Sequence, residues 1–232
     1  MNTLNEKKYM RSLIAFVINQ FIEIFGADVL GKELCVIFND PKAATPMLIS
    51  NITPILIRTN CSDLVYWAQY IYQFSHELTH YVIRQYKEDK SAIIKWFEET
   101  ICEAMSLYVV EKSGERWKEC ALYECNPDFG TSLIQYFQDV YSKTADSALT
   151  KCCTKADLVQ VEQNCEENRI ARSIERNYIF DCFESMPAEI QSLVYYPLFM
   201  RGDLTIDFPM WIDSDKCSHL VNRFQAIQPI IA

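Results

Sequence analysis

The chain has only three histidines, no Cys-x-x-Cys pair and no long uncharged apolar run, and each scarcity narrows what it can be. A helical membrane span needs about 18 or more such residues in succession, so none is expected. Without Cys-x-x-Cys a structural zinc ribbon is not indicated. The first residues, Met1 to Lys8, lack the basic-then-apolar layout and small-residue cleavage site of an export signal, so a cytoplasmic location is expected. In that compartment the ten scattered cysteines read as reduced, mostly buried thiols rather than a disulfide framework. Basic residues are also in deficit: 22 Lys and Arg face 31 Asp and Glu, a net charge of -9. A phosphate-binding surface needs clustered cations, so neither nucleic acid nor an anionic membrane surface is expected as a partner.

What the chain does have is apolar material. At 232 residues, 50% hydrophobic and 13% aromatic, it is long enough to bury one sizeable core. No repeat, linker or low-complexity tract divides it. The expectation is a single domain over 1-232, with an N-terminal lobe to about residue 88 and a helical C-terminal lobe from about 89.

The fold class read from the pattern is α+β, mainly helical. Thr3 to Glu6 fits a capping box, and apolar residues from Tyr9 to Phe25 recur at helical spacing until Gly26 offers a stop. Three short apolar runs follow, Glu33-Phe38, Pro46-Ser50 and Pro54-Arg58, separated by Asn, Asp and Pro, and these read as a small sheet. A helix is predicted from Leu64 through Tyr86, then polar residues 87–91, then a second helix from Ala92 to about Lys112 ending at Ser113-Gly114. The short connection makes the two antiparallel neighbours. Further short helices are expected at 115–125, 131–141, 187–196 and 217–227. A long one is expected over 156–184, with Glu162, Glu166, Arg169, Arg172, Glu175 and Arg176 on a solvated face. Leu204-Ile212 reads as extended.

Two of the three histidines fall in Ser75-His76-Glu77-Leu78-Thr79-His80-Tyr81. On a helix, residues four apart share a face, so His76 and His80 can converge on one ion. Glu77 lies to the side, where it can reach a water on that ion. A catalytic zinc takes three protein ligands and keeps one position open. The third is proposed as Glu99: 18 residues separate it from His80, on the returning helix in Trp96-Phe97-Glu98-Glu99-Thr100. Glu103, one turn further on the same face, is placed to orient an imidazole from behind. Glu98 reads as solvated, Trp96 and Phe97 as core.

Through these residues, the stretch from about 60 to 110 resembles the gluzincins, the zinc peptidases that include thermolysin-like enzymes and aminopeptidase N. In those families a helix after a similar gap donates a glutamate, and Trp96 and Glu99 match the Trp and Glu of the aminopeptidase N ligand context. The thermolysin-like pattern has an aspartate where Glu103 stands. The resemblance implies a zincin-like fold, with a small sheet, an active-site helix and a helical C-terminal lobe. It also implies Zn²⁺ on His76, His80 and Glu99, Glu77 as general base, and a peptide or protein substrate. In gluzincins a Tyr or His from the C-terminal lobe stabilises the oxyanion; Tyr141, Tyr178, Tyr195, Tyr196 and His219 are the candidates here. Nothing like the exopeptidase segment stands upstream, where Ser50-Asn51-Ile52-Thr53 lies. A substrate read as an extended strand would pair with an exposed sheet edge, either Met47-Asn51 or Ile55-Arg58. The alternative from another class is a non-catalytic interaction or regulatory protein on the same fold.

Overall fold

The computed structural model describes residues 4–31, 33, 35–63, 65–87 and 92–230. Thr3, and with it the capping box expected there, lies outside them, as do Leu64, where a helix was expected to begin, and most of the polar stretch 87–91. The fold is α+β and mainly helical. Among the described residues, no helix is long and apolar enough to cross a membrane.

Helix α1 (Leu4–Phe25) buries Leu13, Val17 and Phe21, spaced by four residues along one stripe. It stops at Gly26, whose φ of +86° an L side chain rarely adopts. A single turn, α2 (Ala27–Leu30), leads to the sheet. Its strands are β1 (Cys35–Asn39), β2 (Met47–Ile49) and β3 (Ile55–Thr59), in the order β1-β3-β2. β1 runs parallel to β3, Cys35 opposite Ile55 and Asn39 opposite Thr59, and β2 runs antiparallel, Ile49 opposite Leu56. β3 is therefore central. Its residues Ile55, Ile57 and Thr59 are buried in strict alternation. This corrects the reading of Ile55-Arg58 as an edge: both its faces of hydrogen-bonding groups are taken, and of the two segments only β2 lies at an edge.

The two long helices are α3 (Trp67–Arg84) and α4 (Lys95–Glu115). α4 does not end at Gly114 but runs through it. Gly114 serves instead to admit α5 (Phe129–Tyr141): a Cβ there would meet Ile134 at 2.7 Å, and one on Gly130 would meet the Gly114 carbonyl oxygen at 2.8 Å. Trp117–Glu119 is one turn of 3₁₀ helix.

The long helix expected over 156–184 is broken. α6 (Lys155–Gln163) and α7 (Ser173–Ser185) are separated by turns and the 3₁₀ segment Arg169–Arg172. Thr154 and Asp157 form a capping box at the start of α6. The solvated face is corrected too, because Arg172, Glu175 and Arg176 are buried. Each has a polar partner: Cys165 O for Arg172, Ser147 for Glu175, Lys143 O for Arg176. A 3₁₀ helix covers Pro187–Phe199. Leu204-Ile212 is extended only at the isolated bridge between Met200 and Ile206. From Phe208 the chain is helix α8 (Phe208–Ile212), because Pro209 in a first turn loses no hydrogen bond and Asp207 accepts from Met210 N at 3.0 Å. α9 (His219–Phe224) and a 3₁₀ turn, Gln225–Ile227, follow.

The chain forms two compact units, Met1–Tyr81 with Met105–Val140, and Val82–Ala104 with Tyr141–Ala232. The first centres on Trp67, whose ring meets Tyr9, Trp117 and Phe129 at 5.7, 5.9 and 4.9 Å. The second centres on Phe97, packed edge-on against Tyr196, Phe208 and Phe224. Trp96 and Phe97 are fully buried, as expected of core residues.

Candidate metal centre

α3 carries the His-Glu-x-x-His motif, and its own sequence fixes which way it faces. Tyr70, Ile71, Phe74, Leu78, Tyr81 and Val82 form its buried apolar stripe. Ser75 and Thr79, buried beside the motif, donate their hydroxyls to the carbonyls of Ile71 and Ser75, each at 2.7 Å, so neither needs an outside partner. At the C-terminal end the Tyr81 hydroxyl lies 3.1 Å from Leu30 O and 2.8 Å from Glu33 O. One turn before His76, Gln73 joins a polar network at the end of the sheet. Its Oε1 accepts from Asn60 N at 3.0 Å and its Nε2 donates to Asn60 Oδ1 at 2.7 Å. Asn39 Oδ1 accepts from Cys61 N and from Thr59 Oγ1, both at 2.9 Å. An amide side chain held at two atoms fixes helix rotation as well as position.

His76 and His80 have their Nε2 atoms 3.3 Å apart. Their rings stand edge to face, centroids 5.0 Å apart. Two ligands about 2.0–2.1 Å from a tetrahedral zinc are separated by roughly 3.3 Å, so the imidazole pair already has the spacing that ion requires. The third member is Glu99. Among the described residues, His76, His80 and Glu99 form the one group of three or more His, Cys, Asp or Glu side chains whose ligand atoms all lie within 4.8 Å of one another. His76 is 2% exposed, Glu99 7% and His80 9%. Two neutral nitrogen donors and one carboxylate in a buried setting match the donor set of a catalytic zinc site and fit that ion.

Glu77 is buried at 4% exposure. It follows His76 directly in the motif, on the same helix as both imidazoles.

Glu103 is buried at 1% exposure, and its Oε1 lies 3.3 Å from Arg172 Nη2 and 3.8 Å from Arg169 Nε. Glu98 is not solvated. It forms a buried ion pair with Lys87 at 2.8 Å, and the Tyr196 hydroxyl donates to the same oxygen, Oε2. The reason is that the helix face next to Glu99 turns into the protein, where Lys87 and Tyr196 supply the charge and the donor.

The five oxyanion candidates are placed as follows. Tyr196 is fully buried, and that burial, with the Glu98 charge beside it, holds its hydroxyl protonated well above the usual tyrosine range. Tyr141 donates to Asp181 at 2.9 Å and Tyr178 to Arg223 O at 3.3 Å. Tyr195 stacks edge-on with Tyr86 and carries Lys216 Nζ over its ring. His219 is exposed and shares a contact of 3.0 Å with Glu189.

None of the ten cysteines is in a disulfide. Burial pushes the thiols of Cys61 and Cys165 up to about 12 and that of Cys35 to about 11, which keeps them protonated and unreactive at neutral pH.

Sequence reasoning missed the groups that hold the start of α4. Glu162 accepts from Lys95 N at 2.8 Å and Trp96 N at 2.9 Å, so one carboxylate satisfies two of the helix's orphan donors and meets the positive end of its dipole. Arg172 donates to Thr100 Oγ1 at 3.0 Å. Neither residue carries a local signal, since both read as members of a solvated charge pattern. No protein-family model, curated protein or solved structure matches this chain.

Proposed function

We propose that the chain is a zinc-dependent metallopeptidase of gluzincin type with a zincin-like fold, acting in the cytoplasm on a peptide or protein substrate. The observation that carries this reading is the convergence of His76, His80 and Glu99 within 4.8 Å, with a buried Glu77 in the same motif. The three residues would hold Zn²⁺. When bound, zinc supplies Lewis-acid polarisation of a carbonyl and lowers the pKa of a coordinated water toward ~7. Glu77 takes the proton of the attacking water on its carboxylate and returns it to the leaving nitrogen. His76 and His80, one turn apart on helix α3, bring their Nε2 atoms within 3.3 Å of each other. Glu103 backs the centre as an outer carboxylate, itself restrained by Arg172.

The test is the zinc content of the purified protein together with digestion of a peptide library, with and without a chelator. The expected result is about one equivalent of zinc, chelator-sensitive cleavage, and a Glu77→Gln variant that keeps zinc and cleaves nothing. Less than about half an equivalent after zinc loading, with no cleavage, overturns the reading and leaves a non-catalytic interaction or regulatory protein.

A further inference from the structure

Glu99 stands in the second turn of α4, and the residues around it are bonded to one downstream segment. Upstream of Glu99, the backbone N–H groups of Lys95 and Trp96 donate to Glu162. Downstream, Thr100 Oγ1 and Glu103 Oε1 both accept from Arg172, at 3.0 and 3.3 Å. Lys95 and Glu103 are four residues either side of Glu99, so they share its helix face, and Thr100 is its neighbour.

Arg172 is the centre of this arrangement. It is 1% exposed, and its third contact, Nη1 to Cys165 O at 2.7 Å, ties it to its own segment. Three nitrogens of a planar guanidinium thus have three acceptors in fixed directions, a fit that a lysine cannot reproduce. Thr100 is a relay as well as an acceptor: its hydroxyl donates to Trp96 O at 2.5 Å while receiving from Arg172. Glu103 pairs with the guanidinium, and Arg169 Nε stands 3.8 Å from the same Glu103 oxygen.

We infer that Arg172 is a positioning residue for the metal centre: through Thr100 and Glu103 it sets the depth and rotation of α4, and so the place of the Glu99 carboxylate. This inference rests on the zinc reading above. Metal sites tolerate ligand displacements of only about 0.2 Å, so an unclamped turn of helix weakens the ion's binding even where the helix itself persists.

The experiment measures zinc affinity of the full chain by competition with a chromophoric chelator, alongside the thermal melting of the metal-free protein and the visible spectrum of its cobalt(II) form. Thr100→Val preserves shape and removes the acceptor for Arg172 Nε; Thr100→Ser restores a hydroxyl. Thr100→Val and Arg172→Met are each expected to weaken zinc binding by about 10- to 100-fold, with a changed cobalt spectrum, while Thr100→Ser binds as wild type. A purely structural role would lower the melting temperature and leave the affinity and spectrum of the folded protein unchanged, and that result overturns the inference. If Arg172→Met does not fold, Thr100→Val with its serine rescue decides alone. Wild-type protein that takes up no zinc overturns the zinc reading and this inference together, whereas wild-type-like zinc binding in both variants overturns this inference only.

Discussion

Lys87 Nζ lies 2.8 Å from Glu98 Oε2 with both side chains shut away from water, at 6% and 2% exposure. Removing one partner of such a pair exposes the other to the full desolvation penalty, whereas removing both charges does not. Lys87→Met is therefore expected to lower the free energy of unfolding by about 3 kcal/mol in urea titrations. Adding Glu98→Gln should recover most of that loss, because the amide still accepts from Tyr196 and no buried charge is left. A double variant no more stable than the single one would contradict this account.

Zinc linkage separates the ligands from the base. An ion held at 100 times its Kd stabilises the folded state by about 2.7 kcal/mol, which in a chain of this size raises the melting temperature by roughly 5 to 10 °C. Wild type and Glu77→Gln should show that rise on adding zinc, and Glu99→Ala should lose most of it. A full rise in Glu99→Ala, read by calorimetry, would remove Glu99 from the ligand set.

The two glycines at the junction of α4 and α5 should differ in tolerance. A Cβ on Gly130 meets backbone, Gly114 O at 2.8 Å, and also Trp117 Cβ at 3.0 Å. A Cβ on Gly114 meets chiefly the end of Ile134, a side chain that can rotate away. Gly130→Ala is expected to destabilise by about 1–3 kcal/mol. Gly114→Ala should be milder, since alanine recovers up to about 1 kcal/mol of helix propensity. Chemical denaturation of the two variants ranks them directly.

Asp207 gives a dependence on pH. Its hydrogen bond from Arg201, at 2.7 Å, and then that from Met210 N hold its carboxyl below its ordinary value of 3.8. A carboxyl with a depressed folded pKa adds stability that is present above the unfolded value and disappears as pH falls through the folded one. Asp207→Asn keeps a capping oxygen and removes the charge. The gap in melting temperature between wild type and Asp207→Asn should thus be constant near neutral pH and close below about pH 4. A gap that does not shrink as pH falls below about 4 would mean the charge is not its source.

Where the sequence could be read, the reason was local. The 3.6-residue stripe of α1 and the alternation of β3 are periodicities, and His76 and His80 are one turn apart by their spacing alone. Where it misled, the reason was partners far away in the chain. Arg172 and Glu175 look like a solvated charge pattern, but Arg172 meets Glu103 and Glu175 meets Ser147, and no window of neighbouring residues contains those pairs. Leu204-Ile212 read as extended, but Pro209 sits in a helical first turn, where the cap from Asp207 decides for the helix. Glu98 and Glu99 are adjacent and identical in type, so only their surroundings distinguish a buried ion-pair partner from a candidate ligand.

The carboxylate of Glu162 reaches back 67 residues to the N–H of Lys95. During synthesis the ribosome therefore releases the whole of α4 well before the group that completes its first turn exists. At the usual pace of about 5–20 residues per second, that interval lasts several seconds. A chain truncated before residue 162 would have the sequence of α4 without its N-terminal closure, so this helix is finished from outside and late.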